Sequence, residues 1–532
     1  MATPTLGLLG HTEIDDADDN TNWTGDLDTA DADIVKEGAA SLSGIFRADL
    51  DNGYYDDGTP RSIAGEHLRM WVLTNNLPYM ETTANGGYEV FVHDGTNTDY
   101  YTIFSSDDYT GGWFNAVIDC ALFTTVTDAN VDRWGLRANH TTNAKNAINT
   151  WVDYIRYMDG YYITGGTSGD KVTLADVAGE DREVSGTLTG YGIIEEIEGV
   201  YFCSGEFQLG NGATTTYFEM DGDVLVYTDK PVADGLYALN GNGAGANILI
   251  VDSTIKASGT GDANRPDIDM STGSPGTVSI TDTVVIRGGA LTFASGQTIT
   301  GNTFNDCEQI THGGATMTGI TVKGYEGTAD TGALVYNVAS DIDGEIDGST
   351  FEMGTASTHA IDFGTSVTMN QTIRNCEFTG YGTSDDSNDS TVRFLATSGS
   401  LTLSLVNCTV GGSAATTSNF SVDDAAGITV TLEISVTITI TVKDIEGNLI
   451  SNAQTAVYAT DDDTELMNED TVSGVATESY GGTLPREVRV WIRKASSGAT
   501  KYKNYSSIQT ITSAGLTLTV TMVEDPYNNA TT

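Results

Sequence analysis

The chain alternates apolar and polar residues in short runs, with turn residues between them. Near the start it reads His67-Leu-Arg-Met-Trp-Val-Leu73, Tyr88-Glu-Val-Phe-Val-His93 and Tyr100-Tyr-Thr-Ile-Phe104. A period of two places successive side chains on opposite faces of a strand. Asp94-Gly95 and Gly111-Gly112 punctuate these runs. Several strands at this spacing predict an antiparallel sandwich over residues 1–162. The same stretch holds Trp23, Trp71, Trp113, Trp134 and Trp151, five of the six tryptophans.

Over residues 163–431 the texture changes. Tryptophan disappears, Gly, Thr, Ser and Asn rise, and the apolar runs shorten to Ile250-Val-Asp-Ser-Thr-Ile255, Ser279-Ile-Thr-Asp-Thr-Val-Val-Ile286 and Leu405-Val-Asn-Cys-Thr-Val410. The markers Thr254, Thr283, Thr303, Thr321, Thr350, Glu377 and Thr409 are separated by 29, 20, 18, 29, 27 and 32 residues. Those intervals predict the coils of a right-handed parallel β-helix with loops of variable length. Asn375-Cys376 and Asn407-Cys408 are expected to occupy the same rung position one coil apart. The competing fold is a run of antiparallel sandwiches. It would require hairpin dipeptides between paired strands, and Asn-Gly and Asp-Gly are not placed that way.

Residues 432–532 form a third unit, opened by the alternation Ile434-Ser-Val-Thr-Ile-Thr-Ile-Thr-Val-Lys443 and continued by Val488-Arg-Val-Trp-Ile-Arg493. A further β-sandwich is expected there. The fold class is therefore all-β: a sandwich, a β-helix and a second sandwich. The tail from Asp525 is expected to be a loose end.

Charge narrows the partners. With 74 acidic and 24 basic residues the net charge is −50, which repels phosphate backbones and anionic membranes. Nucleic acid is excluded as a general electrostatic partner. No run of about 18 apolar residues is present, so no transmembrane helix is expected. The opening Met1-Ala-Thr-Pro-Thr-Leu-Gly-Leu-Leu-Gly10 lacks a basic region and a long apolar region, and is not read as a signal peptide. Five scattered cysteines, Cys120, Cys203, Cys307, Cys376 and Cys408, form no C-x-x-C pair. They are expected to be small buried thiols and not zinc ligands.

Few residues suggest chemistry. Asp341-Ile-Asp-Gly-Glu-Ile-Asp347 would set Asp341, Asp343, Glu345 and Asp347 on one face of an extended segment. Four carboxylates in a row either face water or share a cation. Calcium is the one cation this sequence suggests, and no other cofactor is expected. Asp267 and Asp269 are a second two-acid candidate. A polysaccharide lyase needs a base beside its calcium ligands, but Arg265, Arg287, Lys323, Arg374 and Arg393 are nearly all the basic residues the middle offers after Lys256. His312, before Gly313-Gly314, reads as a turn residue. Trp71, Tyr79 and Trp113 could stack on a sugar, against the plainer reading that they belong to a core. No catalytic motif is present.

Three resemblances follow. Val35-Lys-Glu-Gly-Ala-Ala-Ser-Leu42, Gly112-Trp-Phe-Asn-Ala-Val-Ile-Asp119 and Asn149-Thr-Trp-Val-Asp-Tyr-Ile155 resemble concanavalin-like or carbohydrate-binding jelly rolls. The alternating strand at 434–443, with Asp444-x-x-Gly447-Asn448 at a turn, resembles the carboxypeptidase-regulatory or transthyretin-like sandwich, a module usually without chemistry. The three modules together resemble surface proteins of tailed bacteriophages: capsid decoration proteins, head fibres, tail fibres and spikes. That resemblance implies a virion structural protein and not an enzyme. It would assemble as a symmetric homo-oligomer, with a trimer expected, contacting capsid or tail proteins and host glycans. The alternatives are a tailspike-like polysaccharide depolymerase and a secreted carbohydrate-binding adhesin.

Overall fold

The structure is a computed structural model of the whole chain. It describes all residues except 1–3, 76–79, 83–84, 105–110, 140–147, 179–182, 185–187, 190–193, 229–237, 259–264, 425–426, 483, 496–499, 513 and 530–532. It is built almost wholly of strands, with short helical turns such as Leu174–Val177. Two compact units are present, Met1–Ser279 with Ile286–Ala290, and Ile280–Val285 with Leu291–Thr532.

In the first unit, the period-two runs build two antiparallel sheets. One orders the strands Phe114–Asp119, His67–Thr74, Ile148–Tyr157, Ser41–Phe46 and Leu27–Asp31, with Thr12–Asp15 also on the third strand. The other orders Trp23–Gly25, Asn52–Arg61, Val131–Ala138, Tyr88–His93 and Thr98–Phe104. Leu68, Met70 and Val72 meet Val90, Val92 and Leu136 in a shared core, and the side chains between them point outward. Trp134 is fully buried, and its indole N–H donates to the Tyr157 hydroxyl at 2.9 Å.

The chain then winds. Gly160–Thr164, Glu206–Leu209, Leu239–Gly241 and Ile268–Asp269 pair parallel in sequence order. Val200–Cys203, Val224–Tyr227 and Thr254–Ala257 form a second parallel ladder. Val172–Thr173, Thr216–Asp221 and Ala246–Val251 form a third. Three parallel ladders traversed in turn define a β-helix, which settles the choice against hairpin-built sandwiches. Thr5–Leu9 lies antiparallel on Gly160–Thr164, so the N-terminal strand shields the first coil's open edge.

The second unit continues the same rule. Ile310–Thr311, Gly332–Tyr336, His359–Phe363, Val392–Phe394 and Val422–Asp424 stack parallel. Thr303, Thr321, Thr350, Glu377 and Thr409 are in direct register, as their spacing predicts. Thr283 is one residue early, because its strand is Val284–Ile286. Inside the coil like residues stack: Phe351 on Phe378 at 5.5 Å, and Phe363 on Phe394 at 4.4 Å between ring centres.

The corners repeat as well. Asn375 and Asn407 both adopt left-handed conformations, at φ of 53° and 55°. Asn407 Nδ2 donates to Asn375 Oδ1 at 3.1 Å, and Asn375 Nδ2 donates to Asp347 Oδ1 at 2.6 Å. Cys376 and Cys408 follow, both buried with Sγ against main-chain carbonyls. All five cysteines are buried thiols outside any disulfide.

Ile428–Lys443 is one continuous strand of 16 residues that crosses the expected boundary at 432. Its first half pairs parallel with the coil strand Gly399–Val406. Its second half pairs with Val475–Tyr480 and Leu516–Thr521. A second sheet orders Glu465–Asp470, Gln454–Ala459, Arg486–Arg493 and Tyr505–Ile511. Val436, Ile438, Ile440 and Val442 close the core against Val457, Val488 and Val490. Asp444 caps its turn by accepting from the Glu446 and Asn448 N–H groups, with Gly447 at φ 88°.

Asn407 also donates to Thr437 Oγ1 and accepts from the Thr437 N–H. Asn407→Ala should therefore lower stability by about 1–3 kcal/mol, losing both the ladder bonds and an easy left-handed residue. Asn407→Gly should restore the conformational part only. Urea midpoints at unchanged slope would check the order wild type, Gly, Ala.

Candidate functional site

The outward face of the first sandwich's larger sheet carries the aromatic residues singled out in the sequence. Residues 69, 71 and 73, and 149, 151 and 153, alternate with core positions and so share this face. Asp153 pairs across to Trp71, and Trp151 to Leu73 on one side and Ser43 on the other.

Trp71 is only 2% exposed. Its indole N–H donates to Glu37 Oε1 at 2.6 Å, and Lys36 Nζ sits 4.4 Å above its ring. Arg156 holds Glu37 through two bonds of 3.0 and 2.8 Å. The segment carrying Lys36 and Glu37 thus folds over Trp71, which cannot serve as a sugar platform. Trp113 is half-buried and packs on Trp71 and Tyr154. Tyr79 lies outside the described residues.

Trp151 occupies the open part of the same face. It is half-buried, and its N–H donates to Asp31 Oδ2 at 2.9 Å, which fixes the ring edge. That bond, with the Asp33 and Ile34 N–H groups, holds the Asp31 carboxyl below the usual range. The ring borders a groove of about 410 Å³ shared with Asp26, Asp28, Ser43, Ile45 and Asn149. Burial and neighbouring Asp51 and Asp28 push Asp26 upward. An aromatic wall with carboxylates, a hydroxyl and an amide around it matches the chemistry of a pyranose, which has an apolar face and a hydroxyl rim.

A second cluster lies in the coil of the second unit. Asp362, Arg393 and Asp423 occupy the same rung position in successive coils. Arg393 holds Asp362 through bonds of 2.9 and 2.6 Å, and also reaches Asp330 at 3.1 Å. His359 is fully buried. Its Nδ1 donates to the Ser390 carbonyl at 2.7 Å, and its Nε2 faces Asp330 at 3.2 Å and Asp423 at 4.0 Å. Donor atoms of Asp330, His359 and Asp423 lie within 4.8 Å of one another, the one such group among the described residues. The Arg393 guanidinium already meets Asp330 there, so the protein itself supplies a cation to this cluster. The His359 hydrogen bond holds Asp330 below the ordinary range, while burial raises Asp423.

The acidic run does not form the extended face expected of it. Residues 343–348 run through turns and a bend, with Gly344 and Gly348 at φ 79° and 70°. The alternation survives: Ile342 and Ile346 are buried and the acids point outward. Asp341 accepts from the Thr372 N–H and hydroxyl, Asp343 takes Arg374 at 2.6 and 3.1 Å, and Asp347 takes Asn375. Glu345 bonds Thr316, and burial raises its pKa. Donors from neighbouring residues thus meet Asp341, Asp343, Glu345 and Asp347. Asp267 accepts the Ala290 N–H from the next coil, and Asp269 accepts from Ser271 and Thr272 in its own turn. His312 is buried at a turn, its Nδ1 accepting the Gly314 N–H, and burial lowers its pKa to about 4.

Sequence reasoning missed both clusters. Trp151 stood in a quoted run, but only the fold shows that Trp71 is covered and Trp151 is open. Asp330, His359 and Asp423 are 29 and 64 residues apart, about one and two coils, and that spacing was the available signal.

No protein family and no curated protein matches the chain. Among solved structures, a family 11 carbohydrate-binding module from Clostridium thermocellum, in complex with a beta-1,3-1,4-mixed-linked tetrasaccharide, is similar over 28% of this chain and 96% of its own. The identity is 14% and the TM-score 0.19. The catalytic domain of a GH87 alpha-1,3-glucanase in complex with nigerose is similar over 81% of this chain and 98% of its own, at 9% identity and a TM-score of 0.20. The architecture rests on the strand pairings and not on these overlaps.

Asp153 gives a pH prediction. It is fully buried, accepts only the Lys36 and Glu37 N–H groups, and burial raises its pKa to about 7. An unfolded Asp titrates near about 3.9. Between those values the folded state binds more protons, so stability falls as pH rises and the loss is complete above about pH 7. Asp15, raised to about 6 by burial, acts in the same direction. Tryptophan fluorescence melts should show the first sandwich more stable at pH 5 than at pH 8, and Asp153→Asn should shrink that difference by roughly 2–4 kcal/mol.

Proposed function

We propose that this chain is a non-catalytic structural protein of a particle surface, of the tailed-bacteriophage type, which contacts glycans through its first sandwich. The observation that carries the glycan part is the Trp151 groove, where a held indole meets Asp26, Asp28, Ser43 and Asn149. The repeated coil supports the structural part, because stacked rungs bury apolar area continuously from one coil to the next. The net charge of −50 keeps such a protein soluble at high copy number. On this reading its partners are further copies of itself, with three-fold symmetry expected, and capsid or tail proteins.

One observation favours a second reading, a polysaccharide depolymerase. Asp330 and Asp423 have donor atoms within 4.8 Å, and their surroundings push their pKa values in opposite directions. That divergence is how acid and nucleophile are told apart in glycoside hydrolysis, where retaining enzymes place the carboxyls about 5–5.5 Å apart.

A glycan array followed by titration calorimetry separates the readings. Wild type should bind at least one glycan without releasing reducing ends, and Trp151→Ala should weaken binding at least about tenfold. Cleavage of any bound polymer, abolished in Asp423→Asn, would establish the second reading instead. Mass spectrometry of purified particles should find the chain at a copy number set by particle symmetry.

A further inference from the structure

The C-terminal sandwich leaves a tryptophan in water. Along Arg486–Arg493, Val488, Val490 and Ile492 are buried, which sends Arg489, Trp491 and Arg493 to the opposite face. Trp491 is 46% exposed. A single exposed aromatic is ordinary on a surface, so what surrounds the ring decides its use.

The register explains why the ring stays bare. Trp491 stands opposite Ala456 on one neighbouring strand and Ser506 on the other. Neither side chain is large enough to lie over an indole. Arg493 stands opposite Gln454, and Arg489 lies between Tyr458 and Ile508. The result is a groove of about 330 Å³ whose lining includes Gln454, Tyr458, Asn468, Trp491, Arg493 and Asn504. That volume lies at the lower end of the roughly 300–1,000 Å³ typical of small-ligand sites.

One rim is fixed. Gln454 Nε2 donates to Asn468 Oδ1 at 3.1 Å, and both Asn468 Nδ2 and the Tyr458 hydroxyl donate to Glu465, at 3.3 and 2.8 Å. The other rim is unengaged. Among the described residues, Arg493 has no carboxylate within 4 Å and its guanidinium has no hydrogen-bond partner.

The charge here runs against the rest of the chain. Six of its 24 basic residues fall between 486 and 503, with Glu487 the one acid among them. Arg486 is taken by Asp461 and Asp462, Arg489 has Asp463 at 3.8 Å, and Lys494 and Lys501 donate to the Asn452 and Asn528 carbonyls. Arg493 is the cation left facing the groove.

We propose that this face binds a saccharide bearing a carboxylate, a uronic-acid residue, with Trp491 stacking on the pyranose ring and Arg493 pairing with the carboxylate. The indole supplies an apolar plane, and a guanidinium pairs with a carboxylate through two parallel hydrogen bonds. The Gln454 and Asn504 amides lie where ring hydroxyls would fall. A protein partner would need about 800 Å² on each side, and this groove offers a single bare ring with one unpaired cation. The site is independent of the Trp151 groove, which carries no positive charge among its lining residues.

The test uses the full chain and calorimetry with oligosaccharides of polygalacturonate, alginate and hyaluronate. Binding to at least one is expected, weakened at least tenfold by Trp491→Ala and by Arg493→Gln, and weakened likewise when the carboxylates of that oligosaccharide are methyl-esterified. Trp151→Ala should leave this binding unchanged, which separates it from the function proposed above. Because residues 491 and 493 face solvent, both variants should keep the wild-type melting curve. Three results would each overturn the proposal: no binding to any of the three, equal affinity for the methyl ester, or loss in Trp151→Ala with none in Trp491→Ala.

Discussion

A parallel ladder requires the chain to return to the same register after every coil, and the rest of the middle region follows from that. Returning demands sharp corners, and the corners are left-handed residues such as Asp252, Asp282, Asn375 and Asn407. Short polar side chains tolerate that conformation because they can bond locally. Once corners repeat, side chains of one coil meet those of the next. Asn407 finds Asn375, Phe394 finds Phe363, and Arg393 finds Asp362. A coil alone could not bury Phe363, and the stack supplies the missing side.

The same repetition accommodates the acidity. Outward carboxylates one coil apart would repel, yet the described ones alternate with donors. Asp343 meets Arg374, Asp347 meets Asn375, and Asp341 meets Thr372. Arg374 and Arg393 are each set one coil from an acid, Asp343 and Asp362.

The sandwiches use their outward faces differently. On the first, Glu37 and Lys36 cover Trp71 and leave Trp151 beside a groove. On the second, small residues flank Trp491, which stays 46% exposed. In both, strand alternation puts an aromatic on the solvent side, and its neighbours decide whether it is core or surface. The coil's Asp330–His359–Asp423 group follows a third pattern, in which an arginine from the next rung already compensates the acids.

Strand content, the parallel coil and the alternating strand at 434–443 were legible in the sequence, because period-two patterning and recurring corner residues are local properties. Asn375 and Asn407 could be matched by their shared neighbours alone. The burial of Trp71, the turn conformation of Asp341–Asp347 and the meeting of Asp330 with Asp423 were not legible. Each depends on which distant segment lies over a given residue, as Glu37 lies over Trp71 across 34 positions. Alternation tells which way a side chain points from its strand. Only the tertiary structure tells what is waiting there, because contacts between remote segments are set by stacking and packing and not by local preference.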